Sequence, residues 1–221
     1  MSLISLKNIC KSFTNSEEKQ CVLLNLNIDI LEGQSIALTG ESGAGKSTLL
    51  NIIAGLEPPT SGDVIFDGKN IWSESEDQRS NIRKNKISLI FQQFNLIPSL
   101  NVIQNIEFHA KLINKYDNET VIKVINKLGL TNILEHFPEQ ISGGQQQRAA
   151  IARAIVAKPK LILADEPTGN LDENSTKKVI SMIHELLQKS KTTLVVATHS
   201  TELAQSLQKT VQLKSGTLST K

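Results

Sequence analysis

The residues from Gly40 to Thr48 combine glycines, a lysine and hydroxyl groups in a spacing suited to binding phosphate. They are Gly40, Glu41, Ser42, Gly43, Ala44, Gly45, Lys46, Ser47 and Thr48, in the pattern G-x-x-x-x-G-K-S/T. A glycine-rich backbone lets N–H groups turn inward around a polyanion, and a following helix adds unpaired N–H donors. In this pattern Lys46 reaches the β- and γ-phosphates, and the hydroxyl of Ser47 binds Mg²⁺. We therefore predict a nucleotide-phosphate site, the alternative being a glycine-rich turn before a helix.

Two adjacent carboxylates, Asp165 and Glu166, follow an apolar run at residues 161–164. We expect them at the carboxyl end of a parallel strand, which is the edge where open α/β sheets bind ligands. Asp165 is then the candidate Mg²⁺ partner, and Glu166 is the candidate base for an attacking water. Many strands end in a polar turn, so the pair indicates chemistry because it accompanies the phosphate loop.

A third motif, Ser142-Gly143-Gly144-Gln145, lies between these two. Ser142 is suited to cap a following helix, and the two glycines leave bare N–H groups at its start. The motif therefore predicts a second anion site. The alternative is an ordinary Ser-Gly-Gly helix entry.

Strands and helices must position these motifs, and the hydrophobic pattern predicts both. Strands are predicted at residues 3–13, 22–31, 35–39, 62–66, 87–91, 160–165 and 192–198. Helical spacing is found at residues 48–54, 101–129, 143–156 and 175–188. The polar residues 15–20 are expected to form a hairpin loop. A basic cluster is expected to be one solvated helix face, formed by Arg79, Arg83, Lys84 and Lys86.

Composition excludes several classes of protein. A chain of 221 residues with 39% hydrophobic content can bury a full core. The net charge of +2 is too small to indicate nucleic acid, so we expect no nucleic-acid partner. No apolar stretch approaches the roughly 18 residues of a membrane span, and the first residues lack a signal-peptide layout. Cys10 and Cys21 have neither metal-ligand nor redox spacing and are expected as reduced thiols. These features predict a cytoplasmic protein.

In this order, the three motifs resemble those of ATP-binding cassette (ABC) ATPases, whose signature is L-S-G-G-Q. Ile141 replaces the leucine, which changes only an apolar contact. The resemblance implies that Gln92 links the metal and water to a transporter-facing segment and that His199 contacts the γ-phosphate. It also implies that Phe13 stacks on adenine and that residues 169–172, from Gly169 to Asp172, form the D-loop of the family. The alternatives are a core position for Phe13 and a helix N-cap for Asp172.

The family fold implies an α/β protein, a P-loop NTPase ABC cassette with a nucleotide-binding core, an antiparallel β layer and an inserted helical subdomain. We expect residues 1–221 to form one such cassette, with the helical subdomain at about 93–150. The resemblance implies ATP and Mg²⁺ as cofactors, with metal contacts from Ser47, Gln92 and Asp165. It implies hydrolysis of ATP to ADP and phosphate by a catalytic set of Lys46, Gln92, Glu166 and His199.

The resemblance also implies partners. Because the phosphate loop and the signature lie on different subdomains, a head-to-tail homodimer should form on ATP binding. Residues 55–62, 94–100 and 165–172 are most similar to ATPase subunits of the lipoprotein-releasing and macrolide-efflux type. This similarity implies a motor subunit held at the cytoplasmic face of the cell membrane by a separate integral membrane permease, which exports or extracts a substrate. The alternative is a non-transport ABC ATPase that regulates a membrane partner, as in cell division.

An apolar cluster follows Gln92, formed by Phe94, Leu96, Ile97, Pro98 and Leu100. Some of its members are expected to pack under the helical subdomain. The family resemblance implies that the others line a groove for a short cytoplasmic helix of the permease.

Overall fold

Two β-sheets and seven α-helices make up the part of the chain that the computed structural model describes, which comprises residues 2–14, 19–169, 171–189 and 191–220. The strands are β1 (Ser2–Thr14), β2 (Lys19–Leu31), β3 (Ser35–Thr39), β4 (Ser61–Phe66), β5 (Lys69–Asn70), β6 (Ile87–Ile90), β7 (Leu161–Asp165), β8 (Thr193–Ala197), β9 (Lys209–Lys214) and β10 (Thr217–Thr220). The α-helices are α1 (Lys46–Ile53), α2 (Glu76–Lys86), α3 (Val102–Leu112), α4 (Asn118–Leu128), α5 (Gly143–Val156), α6 (Glu173–Lys189) and α7 (Thr201–Gln205). Two short 3₁₀ turns lie at Thr131–Ile133 and Pro138–Gln140.

The larger sheet has the strand order β10-β9-β3-β8-β7-β6. Its five strands from β9 to β6 run parallel, and only β10 is antiparallel to its neighbour. All five residues of β8 are buried, as expected for a central parallel strand covered on both faces. The carboxyl ends of β3, β8 and β7 therefore lie at one edge of the sheet, each followed by a predicted functional segment.

The smaller sheet is antiparallel, with the order β2-β1-β4-β5. Its apolar side packs with α1 and the larger sheet in one hydrophobic cluster, to which Leu6, Leu23, Leu38 and Leu49 belong. A second cluster joins α3, α4, α5 and α6 to the other side of the larger sheet. The sequence therefore forms the predicted α/β core, antiparallel layer and helical subdomain.

Most predicted elements are present within a few residues of their expected bounds, with some corrections. The helical region at 101–129 is two helices, because Asp117 caps a new helix by accepting a hydrogen bond from the Glu119 N–H. The strands β9 and β10 and the helix α7 were not predicted. Of the predicted loop at 15–20, residues 15–18 lie outside the described residues, and the other two belong to β2.

The predicted basic helix face lies on α2, which buries none of its residues. Its charges are largely engaged within the molecule. Arg79 and Arg83 both pair with Glu76, and Lys86 pairs with Asp67. In the described ranges, no helix is both long and apolar enough to cross a membrane.

Candidate functional site

One cavity of about 610 Å³ lies at the carboxyl edge of the larger sheet, where the loops after β3, β7 and β8 meet. Most of the predicted nucleotide-site residues line it, together with Gly169 of the predicted D-loop and two residues that were not predicted. The lining residues are Phe13, Gln20, Val22, Ser42, Gly43, Gly45, Lys46, Ser47, Thr48, Gln92, Asp165, Glu166, Gly169 and His199. The parallel topology thus brings together residues that are far apart in the sequence.

The phosphate loop requires glycine for steric reasons at two of its positions. Gly40 has φ +152°, and a Cβ there would lie 2.3 Å from the carbonyl oxygen of Leu213 on β9. Gly45, the N-cap of α1, has φ +98°, and a Cβ there would lie 2.7 Å from the side chain of Val22. Because Gly45 has no side chain to accept hydrogen bonds, the first N–H groups of α1 remain available to an anion.

Lys46 places its ammonium group inside this loop. The residue is 7% exposed, and Nζ donates to the carbonyl oxygens of Gly40 and Glu41, both at 2.9 Å. Nζ also lies 3.4 Å from Nε2 of His199. The arrangement holds a positive charge next to the N-terminus of α1, where both would act on the same phosphates.

Glu166 is held by the segment after β8. Its Oε2 accepts a hydrogen bond from the backbone N–H of His199 at 3.2 Å, and Oε1 lies 3.3 Å from His199 Nε2. That second contact lacks hydrogen-bond geometry, so Oε1 is a buried oxygen without a hydrogen-bond partner among the described residues. A buried carboxylate oxygen of this kind is suited to accept a hydrogen bond from a water. The backbone of Glu166 is left-handed, with φ +47°, a strained conformation that is common at active sites.

The signature residues form the start of α5, outside this cavity. Ser142 Oγ accepts from the Gln145 N–H at 3.3 Å, and Gln145 Oε1 accepts from the Ser142 N–H at 2.8 Å. The predicted cap of α5 by Ser142 is therefore confirmed, as a complete capping box. In the described part of the chain, the residues Ser142, Gly143, Gly144 and Gln145 are not among those that line the cavity.

The structure excludes one of the two alternatives for Phe13. The residue is 39% exposed and lines the cavity, so the alternative of a core position is wrong. Lys11 Nζ lies 4.8 Å from the centre of its ring. Stacking on adenine stays a prediction.

Asp172 has the N-cap geometry of the alternative. It accepts hydrogen bonds from the N–H and the hydroxyl of Ser175 on α6, at 3.0 and 2.6 Å. These bonds hold the pKa of the Asp172 carboxyl below its usual value. The neighbouring D-loop residue Asn170 lies outside the described residues.

Sequence reasoning missed Gln20 and Val22, which also line the cavity. Gln20 and Val22 belong to β2 and reach the phosphate loop because the antiparallel layer folds against α1. No local pattern marks them. Gly169, the first residue of the predicted D-loop, lines the cavity as well.

The donor set fits Mg²⁺. Within the described ranges, no group of three or more His, Cys, Asp and Glu side chains could hold a metal ion. Mg²⁺ is commonly bound by one or two carboxylates together with substrate phosphates and water, and not by an all-protein cage. Ser47, Gln92 and Asp165 offer oxygen donors of this kind around the cavity.

Comparison with known proteins identifies the class. The family described as "ABC transporter" matches residues 23–169. The lipoprotein-releasing system ATP-binding protein LolD of Wigglesworthia glossinidia brevipalpis is 38% identical over 221 residues, covering 99% of this chain and 96% of that relative. The uncharacterized ABC transporter ATP-binding protein YknY of Bacillus subtilis is 39% identical over 219 residues, covering 98% of this chain and 95% of that relative.

A solved structure agrees over the whole fold. The ATP-binding cassette of Methanocaldococcus jannaschii, in a dimeric post-hydrolysis state bound to ADP and Pi, has a TM-score of 0.90 at 38% identity and covers 98% of both chains. This chain belongs to the ABC transporter family. It is an ATP-binding and ATP-hydrolysing subunit of the transporter type, and the alternative of a non-transport regulator is not favoured.

Proposed function

We propose that this chain drives a membrane exporter or extractor as an ATP-dependent homodimer bound to a separate permease. One observation carries the proposal. Six residues of the phosphate loop, Ser42, Gly43 and those from Gly45 to Thr48, share one cavity with both carboxylates, Gln92 and His199, whereas the signature at Ser142–Gln145 lies outside it. A second copy that brings its signature to this cavity would complete the site. In this proposal residues 1–221 act as one cassette, with the helical subdomain at about 93–150 carrying the signature.

In the binding step, the loop from Gly40 to Thr48 holds the phosphates of ATP. Lys46 and the N-terminus of α1 supply positive charge from the same side. Phe13 offers its exposed ring to adenine at the other end of the cavity. Mg²⁺ held by Ser47, Gln92 and Asp165 would neutralise charge on the phosphate oxygens.

In the hydrolytic step, Glu166 orients a water through its buried Oε1 and takes its proton. The water oxygen attacks the γ-phosphorus, and the bond to the bridging oxygen breaks with its electron pair on ADP. His199 fixes Glu166 through its backbone N–H, and its ring and Lys46 face the developing negative charge. Loss of the γ-phosphate would remove the group that both copies contact, and the dimer would loosen.

The substitution Glu166→Gln tests this mechanism. It keeps the shape but removes the base, so hydrolysis should fall by about 10² to 10⁴. ATP and Mg²⁺ should then convert the variant from monomer to dimer in gel filtration, and ADP should not. Glu119→Gln, an exposed carboxylate on α4, is the matched control and should hydrolyse ATP at the wild-type rate. A Glu166→Gln protein that hydrolyses ATP normally, or that stays monomeric with ATP, would contradict the proposal.

The permease would dock on an exposed apolar surface, here called the α3 surface. It is formed by Phe108 and Leu112 of α3 and by Leu100, which precedes the helix. These residues line a shallow depression of about 320 Å³, and the two helical residues are 43% and 52% exposed. In the predicted apolar cluster, Leu96 packs against the core, whereas Pro98 is exposed. The cluster is thus divided, as expected, between packing and surface.

This docking supplies the proposed location, at the cytoplasmic face of the membrane. Support for export or extraction comes from the relative whose name is lipoprotein-releasing. Changing Phe108 and Leu112 together to lysine should abolish co-purification with the co-expressed permease, while ATP binding by the free subunit persists. Ile122→Lys on α4, where the side chain is 50% exposed, is the control and should co-purify. If both proteins co-purify equally well, the docking surface lies elsewhere.

A further inference from the structure

Two separate contacts join the segment after Gln92 to the signature helix α5. Arg153 Nη1 donates to the carbonyl oxygen of Asn95 at 2.8 Å, and Nη2 is 3.3 Å from that of Phe94. At the other end of the helix, the Phe94 ring lies against Gly143, where an added Cβ would be 3.4 Å from Cζ. These contacts are ten residues apart on α5, which is about 15 Å of helix. Phe94 and Asn95 therefore contact α5 near both of its ends, through the Arg153 side chain at one and through the Phe94 ring at the other.

The environment of Arg153 is unusual for a positive charge. In the ranges that the structure describes, no carboxylate pairs with it, and its hydrogen bonds go to the two carbonyl oxygens alone. Burial without an acidic partner lowers the pKa of the guanidinium. Arg153 is half-buried, and partial desolvation of a charge without an acidic partner costs free energy. Arg153 therefore keeps an unpaired charge at a position where its planar guanidinium donates to two consecutive backbone carbonyls.

The segment held by Arg153, which comprises Phe94 and Asn95, is itself conformationally constrained. Asn95 adopts a left-handed conformation with φ +48°, which asparagine tolerates better than most residues. Gln92, two residues before Phe94, lines the nucleotide cavity. A displacement of Gln92 would therefore be passed through a short, constrained backbone to Arg153.

We propose that Arg153 is a positioning residue that makes the segment Gln92–Asn95 and the signature move as one unit. Through it, the occupancy of the nucleotide cavity would set where this copy presents Ser142–Gln145 to the second copy. Arg153 itself touches neither nucleotide nor water in this scheme. The inference rests on the proposed dimer mechanism.

The test uses the full chain in the Glu166→Gln background and measures the ATP concentration at which half of the protein is dimeric. Arg153→Met keeps an unbranched side chain but removes both donor nitrogens, and this midpoint should rise about tenfold or more, the scale of a lost charged hydrogen bond. Arg153→Lys retains the charge with a single donor nitrogen in place of the planar pair and should give an intermediate midpoint. The affinity of the monomer for a fluorescent ATP analogue should be unchanged in both variants, because the contacts lie outside the cavity.

Arg83→Met is the matched control, since Arg83 Nη1 also donates to a backbone carbonyl, that of Gly55, at 2.8 Å but away from both motifs. Its midpoint should equal that of the parent. Phe94→Leu removes the ring contact with Gly143 without touching the arginine and should raise the midpoint in the same direction. This second variant keeps the proposal testable if Arg153→Met does not fold.

A readout on the monomer separates this inference from the dimer mechanism. Amide hydrogen exchange at residues 141–147 should change when the analogue binds the parent, and this change should be lost in Arg153→Met. If binding of the analogue changes the exchange at these residues in Arg153→Met as it does in the parent, and the midpoint for dimer formation also equals that of the parent, the role of Arg153 is overturned. A fall in nucleotide affinity that matches the shift in midpoint would also overturn it. If the Glu166→Gln parent fails to dimerise, the dimer mechanism is wrong, and the exchange experiment alone decides on Arg153.

Discussion

The two glycine-rich helix starts of this protein, at α1 and at α5, use the same elements in opposite ways. At α1 the N-cap is Gly45, with left-handed geometry and no side chain to satisfy the first N–H groups. At α5 the N-cap is Ser142, and a complete capping box with Gln145 satisfies two of the groups at the helix start. The first helix start is left open to a ligand, and the second is partly closed on itself.

Their surroundings differ in the same sense. The start of α1 lines the cavity together with residues of β2 and of the loops after β7 and β8, and it holds the buried Lys46. The start of α5 is on the surface, with Ser142 and Gly143 exposed. A helix start with uncapped N–H groups beside a buried lysine can bind phosphate within one chain. A capped and exposed one contributes little until another surface covers it, because water competes for its N–H groups.

The largest expected difference between the two sites comes from their glycines. In Gly40→Ala the new Cβ meets a backbone oxygen, so the loop must shift, and overpacking of this kind costs about 1–3 kcal/mol. ATP affinity of the monomer should fall by about 5- to 150-fold. Gly143→Ala meets only the Phe94 ring at 3.4 Å and should leave this affinity unchanged, while it impairs dimer formation. Calorimetric titration of the monomers checks both, and equal losses would erase the distinction.

A second prediction concerns the other end of the first site. Removing the exposed ring in Phe13→Ala should weaken ATP binding by about 1–3 kcal/mol, the scale of base–aromatic stacking. Thermal stability should change little, because the side chain is 39% exposed. Phe137→Ala, equally exposed at 40% but away from the cavity, is the control and should bind ATP as the wild type does. Normal ATP binding by Phe13→Ala would remove adenine stacking from the mechanism.

The smallest expected effect concerns the caps. Ser75 of α2 and Ser142 of α5 have the same capping box, each with Oγ 3.3 Å from the N–H of a glutamine three residues on. Substitution of either by alanine should lower the free energy of unfolding by about 1 kcal/mol. Only Ser142→Ala should also raise the ATP concentration needed for dimer formation. If Ser75→Ala raises it equally, the effect reports stability and not a contact with the second copy.

The parts of the site that were predicted from the sequence are those made by neighbouring residues. The loop Gly40–Thr48, the cap at Ser142 and the placement of Asp165 and Glu166 at a strand end all follow from local backbone chemistry. Element types were recovered where hydrophobic runs are long, as in α5 and α6. The missed β9 and β10 contain few apolar residues, Val211 and Leu213 in β9 and Leu218 in β10, and β9 pairs with both β3 and β10.

The sequence by itself therefore determined the family, the phosphate loop, the two carboxylates and the signature cap, since each depends on residue types within a few positions. The tertiary structure alone decided that Leu213 restricts Gly40 and that Val22 faces Gly45. It also decided that Phe13 is exposed in the cavity and that Arg153 holds the segment after Gln92. These contacts join residues distant in the chain. Their geometry depends on strand register and on the packing of whole layers, which no local pattern encodes.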